Sequence, residues 1–363
     1  MMTAFARPDR NLPRDLLARV ADGTLWLIAL LHVVLAASLV VALFFVAEAD
    51  AQEAECGGSN VLTALAKSDP TKFAALEAEA AAVPNGKGIF WKIEKDGIAA
   101  SWLLGTMHVT DPRVLALPAE APAAFAAAST VIVESDEIVD EKKSAAAILM
   151  RPDLTMFPDN KTIADFLKPG DREQLEAGLK ARGIPLTLVA RMKPWMIASF
   201  VALPACEISR KATGASFLDK KIAEDAVNQG KTLRGLETLI EQLAAMDSLP
   251  TELHLRALIE TLALGKTIED VFATMTDLYL SGDTGMIMPM MRSVSDKGTA
   301  EDFGYADFEQ RIIVDRNKTM ATRAEPILKD GGAFMAVGAL HLPGNEGLVE
   351  LLRAQGFTVT RAN

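Results

Sequence analysis

Basic charge, cysteine and histidine are all in short supply in this chain, and each shortage closes off a class of function. The 37 Lys and Arg are outnumbered by 48 Asp and Glu, giving a formal net charge of −11. The chain therefore lacks the cationic footprint that replaces phosphate counterions on nucleic acid, and no nucleic-acid partner is expected. Cys56 and Cys206 are the only cysteines, and neither has a second one at short spacing, which disfavours a cysteine-built zinc site. No H-x-x-x-H helix places two imidazoles on one face, and no short-period repeat marks a solenoid. What the chain does have is bulk, with 363 residues of which 50% are apolar, enough for a large buried core.

One apolar run stands apart. Arg7, Arg10, Arg14 and Arg19 precede an uncharged stretch over residues 23–47. It exceeds the roughly 7–15 residues of a signal h-region and can cross the about 30 Å of a bilayer core, as an anchor would. Residues 47–49 and 49–51 both read A-x-A, the form a signal peptidase accepts. Residues 1–51 are thus expected to be a signal peptide or a membrane anchor, with cleavage favoured. In either case the positive-inside rule leaves the arginines in the cytoplasm and the rest in the periplasm or another extracytoplasmic space, touching membrane only through this segment. A lipid anchor is not indicated, because Glu55 stands before Cys56 where a small residue is wanted. In an oxidising compartment a disulfide between Cys56 and Cys206 is favoured over two unrelated buried thiols.

The remainder, 56–363, reads as one α/β domain. Helical spacing covers 60–82 and ends at Val83-Pro84-Asn85-Gly86. Two strand-like runs, 89–94 and 98–104, flank Lys95-Asp96-Gly97, and the Asp-Gly pair predicts a hairpin. The second run leads into Gly105-Thr106-Met107-His108. An alanine-rich helix over 118–128 precedes a short apolar strand, 130–133, that ends at Glu134. From 141 to 323 the pattern is mainly helical, with amphipathic stretches at 171–182, 194–203, 218–228, 239–245, 251–264 and 268–280, interrupted by a strand at 231–236 that ends at Glu237. The last forty residues repeat the opening theme: a buried strand at 333–337, then Gly338-Ala339-Leu340-His341, a helix over 345–355 and a closing strand at 357–360. The expected architecture is a mixed β-sheet flanked by helices, with two strand-to-G-x-x-H units bracketing a large helical insert.

The four histidines are His32, His108, His254 and His341. His32 falls in the apolar run and His254 on an ordinary amphipathic helix, so both read as incidental. His108 and His341 each stand three residues after a glycine at a strand's end, where glycine lets backbone approach a ligand and where open α/β sheets place their sites. A single strand-end histidine is more often structural than a ligand, but the repeated context gives the functional reading equal weight. With Glu134 as anionic partner, two imidazoles would leave a metal an open position for water, which it would acidify. A metal-free version, with His or Glu taking a proton from water, stays open. The crowded Met286, Met288, Met290 and Met291 read as core filler, Asp136, Glu137, Asp140 and Glu141 as a solvated helix face, and Trp195 as a core residue.

The string W-L-L-G-T-M-H at 102–108 resembles the first hallmark of the TraB/GumN family, which includes the Tiki metalloproteases and is distantly similar to the erythromycin esterase and ChaN-like groups. V-I-V-E at 131–134 is similar to the family's strand-ending glutamate, and G-A-L-H-L-P-G at 338–344 resembles its second hallmark. K-P-W-M at 193–196, G-L-E-T at 235–238 with Gln242, and Arg316-Asn317 also resemble family positions. The resemblance implies one site formed by His108, Glu134 and His341, and in the Tiki branch a manganese- or cobalt-dependent peptidase; zinc is an alternative. A hard ion asks for more oxygen donors, for which Glu237 is the candidate against a helix-start role favoured by the dipole. Arg316 is a candidate for stabilising an oxyanion, against a plain surface charge. The expected function is an exported metal-dependent hydrolase of a peptide or small-molecule substrate. The alternative is a non-catalytic envelope protein of the same fold that sequesters such a ligand.

Overall fold

Strands β1 (Phe90–Glu94), β2 (Ser101–Thr106), β3 (Thr130–Val133), β4 (Thr232–Gly235), β5 (Ala333–Gly338) and β6 (Thr358–Arg361) form one sheet in the order β4-β3-β5-β2-β1-β6 in the computed structural model. The structure describes residues 56–294 and 304–362. The apolar run, its arginines, His32 and both A-x-A sequences lie outside these residues, and with them the signal-or-anchor expectation. No described helix is long and apolar enough to cross a membrane.

β4, β3, β5 and β2 are parallel, while β1 is antiparallel to both β2 and β6. Parallel strands must be covered on both faces, and strand alternation sorts the side chains accordingly. Leu104, Val131, Val133, Phe334 and Ala336 pack on one face against the helices Ala121–Ala127 and Leu218–Asn228. Leu103, Ile132, Met335 and Val337 pack on the other against the helices Asp315–Asp330 and Leu348–Ala354. The mixed sheet flanked by helices expected from the sequence is therefore present. The helical insert has a core of its own, with Phe157, Leu175, Leu179, Ile197, Leu255 and Leu258 buried together.

Several local expectations are corrected. The single helix over 60–82 is two, Val61–Ser68 and Pro70–Ala81, because a proline pushes the preceding Asp69 out of helical backbone (φ −144°, ψ 79°), where its carboxylate caps the second helix at the Lys72 N–H. The second hairpin strand starts at Ser101, not 98, so Gly97, at φ +75°, belongs to a longer loop. The acidic group is not simply a solvated face: Asp136 and Glu137 are half-buried, and Glu137 accepts the N–H of Leu239 at 2.7 Å, capping that helix, while Asp140 caps the helix Glu141–Met150. Met286 and Met290 are buried against Leu62 and Val271, and Trp195 is buried as well. His254 is buried and bonded to the Met246 carbonyl at 2.9 Å. Cys56 and Cys206 form a disulfide across 150 residues of sequence.

Candidate active site

Parallel strands present their carboxyl ends on one edge, and open α/β sheets bind ligands there. β5 lies between β3 and β2, with Thr106 level with Gly338 and Val133 level with Ala336. His108 follows β2 by two residues, Glu134 follows β3 directly and His341 follows β5 by three, so register alone delivers all three to the same edge. β4, beside β3, adds Glu237.

Glu134 is the centre of the network. Its Oε1 accepts the Gly338 N–H at 2.7 Å and lies 3.8 Å from His341 Nε2. Its Oε2 accepts from Arg316 Nη2 at 2.7 Å and from Gln242 Nε2 at 3.0 Å. Arg316 also donates from Nε to both Glu237 oxygens at 3.1 Å and from Nη2 to Glu237 Oε2 at 2.6 Å. The guanidinium thus stands between two buried carboxylates rather than open to an oxyanion, and Glu237 stands as its counter-ion; to bind a metal, Glu237 would have to exchange one cation for another. Gly338 is glycine for space, since a Cβ would lie 3.1 Å from Glu134 Oε1. Gly105 makes room for the other unit: its Cβ would lie 3.0 Å from Ala339 Cα, so contact between β2 and the turn that follows β5 demands the first glycine.

Both imidazoles are tied at Nδ1. His108 Nδ1–H donates to Asp219 Oδ2 at 2.7 Å, and Asp219 Oδ1 accepts the Thr106 hydroxyl. His341 Nδ1–H donates to Asn317 Oδ1 at 2.7 Å, the amide being oriented by its own N–H to the Glu346 carbonyl at 2.9 Å. Among the described residues, neither Nε2 makes a hydrogen bond. The charge of Asp219 beside the half-exposed His108 raises its pKa to about 9. Burial lowers that of His341 to about 4, against the pull of Glu134. Burial opposes ionisation of Glu134, but the His341 and His108 imidazoles, Arg316 and the Gly338 N–H override it and hold its pKa at about 2.

An imidazole fixed through one nitrogen with the other left open is how metal ligands are usually held. The 3.8 Å between His341 Nε2 and Glu134 Oε1 is close to the separation of two ligands of one ion, roughly 3.0–3.5 Å for bonds of about 2.1 Å. The donors fit a divalent cation in kind, and His341 is neutral at pH 7 as a ligand must be, while His108 would first have to give up a proton. Among the described residues no three His, Cys, Asp or Glu side chains stand close enough to enclose one, so His108 would have to draw toward the other two.

Sequence reasoning missed Asp219 altogether and took Asn317 only as a family position. Both carried a readable signal. Asp219 shares the buried stripe of its helix with Ile222, Ala223 and Ala226, and Asn317 shares one with Met320, Ala321 and Ala324. A carboxylate or amide at the head of an apolar i, i+3, i+4, i+7 stripe must find a buried partner.

Paired strand-to-G-x-x-H loops meeting a strand-end glutamate at the carboxyl edge of an α/β sheet define a class of protein with an imidazole–carboxylate site. The model of the TraB/PrgY/gumN family matches residues 89–361, well over half of the chain, and the chain belongs to that family. It is similar to metalloprotease TIKI2 of Danio rerio, 24% identical over 71% of this chain and 58% of that protein. It is also similar to metalloprotease TIKI1 of the same organism (25%, over 74% and 62%) and to the metalloprotease TIKI homolog of Nematostella vectensis (25%, over 76% and 67%). The chain thus spans less than two thirds of the length of the two Danio rerio proteins. No solved structure matches it.

Proposed function

We propose that this chain is a metal-dependent peptidase acting outside the cytoplasm, with His108, His341 and Glu134 as the ligands of a divalent ion. The observation that carries the reading is the matched tying of both imidazoles at Nδ1 while His341 Nε2 faces Glu134 at 3.8 Å. The relatives named metalloproteases support it, and a peptide substrate follows from that likeness. Manganese or cobalt is proposed over zinc from the resemblance of the two histidine motifs to those of the Tiki branch. Placement outside the cytoplasm is supported by the disulfide, since such bonds persist in oxidising compartments.

A divalent ion, when bound, supplies Lewis acidity to water and to the scissile carbonyl. His341, held neutral at pH 7 by burial, offers a lone pair at Nε2. Glu134 is ionised far below neutrality, which makes it a weak general base and a good anionic ligand. Arg316 and Gln242 engage its Oε2 and leave Oε1 toward His341. His108 carries a proton at pH 7 beside Asp219; taking a cation at Nε2 requires that proton to leave to solvent across its exposed side.

The second reading, a non-catalytic envelope protein that sequesters a peptide or small ligand, has one feature on its side: Arg316 already neutralises both Glu134 and Glu237. Elemental analysis of the purified full-length chain separates the two. A stoichiometric divalent ion that is lost in His108→Ala and in His341→Ala, with cleavage of a peptide library in manganese or cobalt, is the expected result. A metal-free protein indifferent to both substitutions and inert on the library would leave only the binder.

A further inference from the structure

The helix Ala205–Ala212 grips the loop that carries His108 at several points. Glu207 has 0% exposure, and both of its carboxylate oxygens accept the Thr110 N–H, at 3.0 and 2.9 Å. One turn later Lys211 Nζ donates to the His108 carbonyl at 3.3 Å and sits 5.3 Å from the centroid of the Phe217 ring. Phe217 in turn meets the His108 imidazole edge-on at 5.5 Å. The start of the helix is held by the disulfide from Cys206 to Cys56, with Arg210 reaching both Glu207, at 3.8 Å, and Cys56 Sγ, at 3.5 Å. A carboxylate taken out of water is strongly disfavoured unless charge and hydrogen bonds compensate, and here its hydrogen bond goes to a loop amide two residues from His108.

We infer that this helix is a disulfide-tethered clamp on the His108 loop, with Glu207 as its positioning residue. Among the described residues His341 has no counterpart to it: Ala339 and His341 are themselves buried, and Asn317 holds the ring. The clamp makes the His108 side of the site sensitive to thiol reductants. A dithiol that gives two electrons and two protons to the disulfide, leaving as its own cyclic disulfide, frees the head of the helix.

Hydrogen exchange by mass spectrometry on the full-length chain reads the clamp directly, because Thr110 N–H is its central bond. Glu207→Ala is expected to speed exchange over residues 107–111 by about tenfold or more and to leave 333–341 unchanged. Glu207→Gln, whose amide oxygen still accepts, should stay near wild type; this rescue separates positioning from a need for buried charge beside Arg210. Reduced wild type and Lys211→Ala should move 107–111 in the same direction by less. Only the site consequence rests on the proposed metal reading: titration with manganese alone should show affinity about tenfold lower in Glu207→Ala and restored in Glu207→Gln. Absent manganese binding in wild type would sink the metal reading and leave the exchange result standing. The clamp is overturned if 107–111 keeps its protection in Glu207→Ala, or if exchange rises equally across the sheet. If that variant does not fold, unchanged protection in both reduced wild type and Lys211→Ala overturns it.

Discussion

The two G-x-x-H units share a motif, leave neighbouring parallel strands at nearly the same level, and end in opposite electrostatic states. The helix carrying Asp219 packs on one face of the sheet and the helix carrying Asn317 on the other, each sending one polar side chain from the head of its buried stripe to an Nδ1. The Asp219 carboxylate pulls His108 toward the cation, while burial, with only a neutral amide behind its Nδ1, keeps His341 neutral. A sequence motif thus fixes where an imidazole stands, while its burial and the residue behind it together decide what the imidazole is.

Removing either ring should have the largest effect. His108→Ala and His341→Ala should each weaken divalent-ion binding by more than about 100-fold in calorimetric titration, beyond the effect of losing a supporting partner. Loss in one variant only would show that a single unit holds the ion. A sharper cut exchanges the partners. Asp219→Asn gives His108 the partner of His341, and its pKa should fall from about 9 toward its ordinary 6.5, followed by the ring C–H signals in NMR. Asn317→Asp should raise that of His341 from about 4. Each exchange should also weaken ion binding by about 10- to 100-fold, and a His108 that titrates unchanged in Asp219→Asn would refute the account of its charge.

Much of this arrangement is legible before any coordinates. Short continuous apolar runs, one ending at Glu134 and one at Gly338, locate β3 and β5 within a residue, and so place Glu134 and His341 at strand ends. Strand order is not legible, because pairing β5 between β3 and β2 depends on contacts across more than 200 residues of sequence that no local pattern records. For the same reason Glu237 and Arg316, 79 residues apart, read as separate candidates for ligand and oxyanion donor, when they form one ion pair. The helix Ala205–Ala212 escaped notice because its buried side is short and contains a cysteine and a glutamate instead of an apolar stripe.

Acidity tests the comparison through stability. A folded pKa of about 9 against an ordinary 6.5 means that the bound proton on His108 favours the fold; the contribution is complete below pH 6.5 and is lost as pH rises through 9. A folded pKa of about 4 against 6.5 means the reverse for His341, whose contribution is complete above pH 6.5 and is lost as pH falls toward 4. The second is worth up to about 3 kcal/mol by linkage, and the first less, because solvent screens a half-exposed pair. Urea unfolding of chelator-treated protein should therefore show opposite slopes in the two windows. Asp219→Asn should flatten the alkaline one and His341→Gln the acidic one; a variant that flattened both would mean the two rings titrate as a unit.

The smallest effects should come from the two glycines, and they test whether the units differ in packing as well as in charge. An alanine at 105 would meet the Ala339 backbone and the Leu342 side chain, each at 3.0 Å, and backbone yields little. Overpacking of that kind should destabilise by about 1–3 kcal/mol, read as a lower urea midpoint with an unchanged slope. An alanine at 338 would meet chiefly the end of the Glu134 side chain, at 3.1 Å, which can give way by a few tenths of an ångström. Its φ of −50° suits any residue, so stability should change by less than about 1 kcal/mol. The consequence moves into the site, because Glu134 would be pushed off the Gly338 N–H that helps keep its carboxyl ionised. Gly338→Ala should therefore alter ion affinity more than stability, and Gly105→Ala stability more than ion affinity. If the two substitutions behave alike, the glycines serve one purpose and the division drawn between them fails.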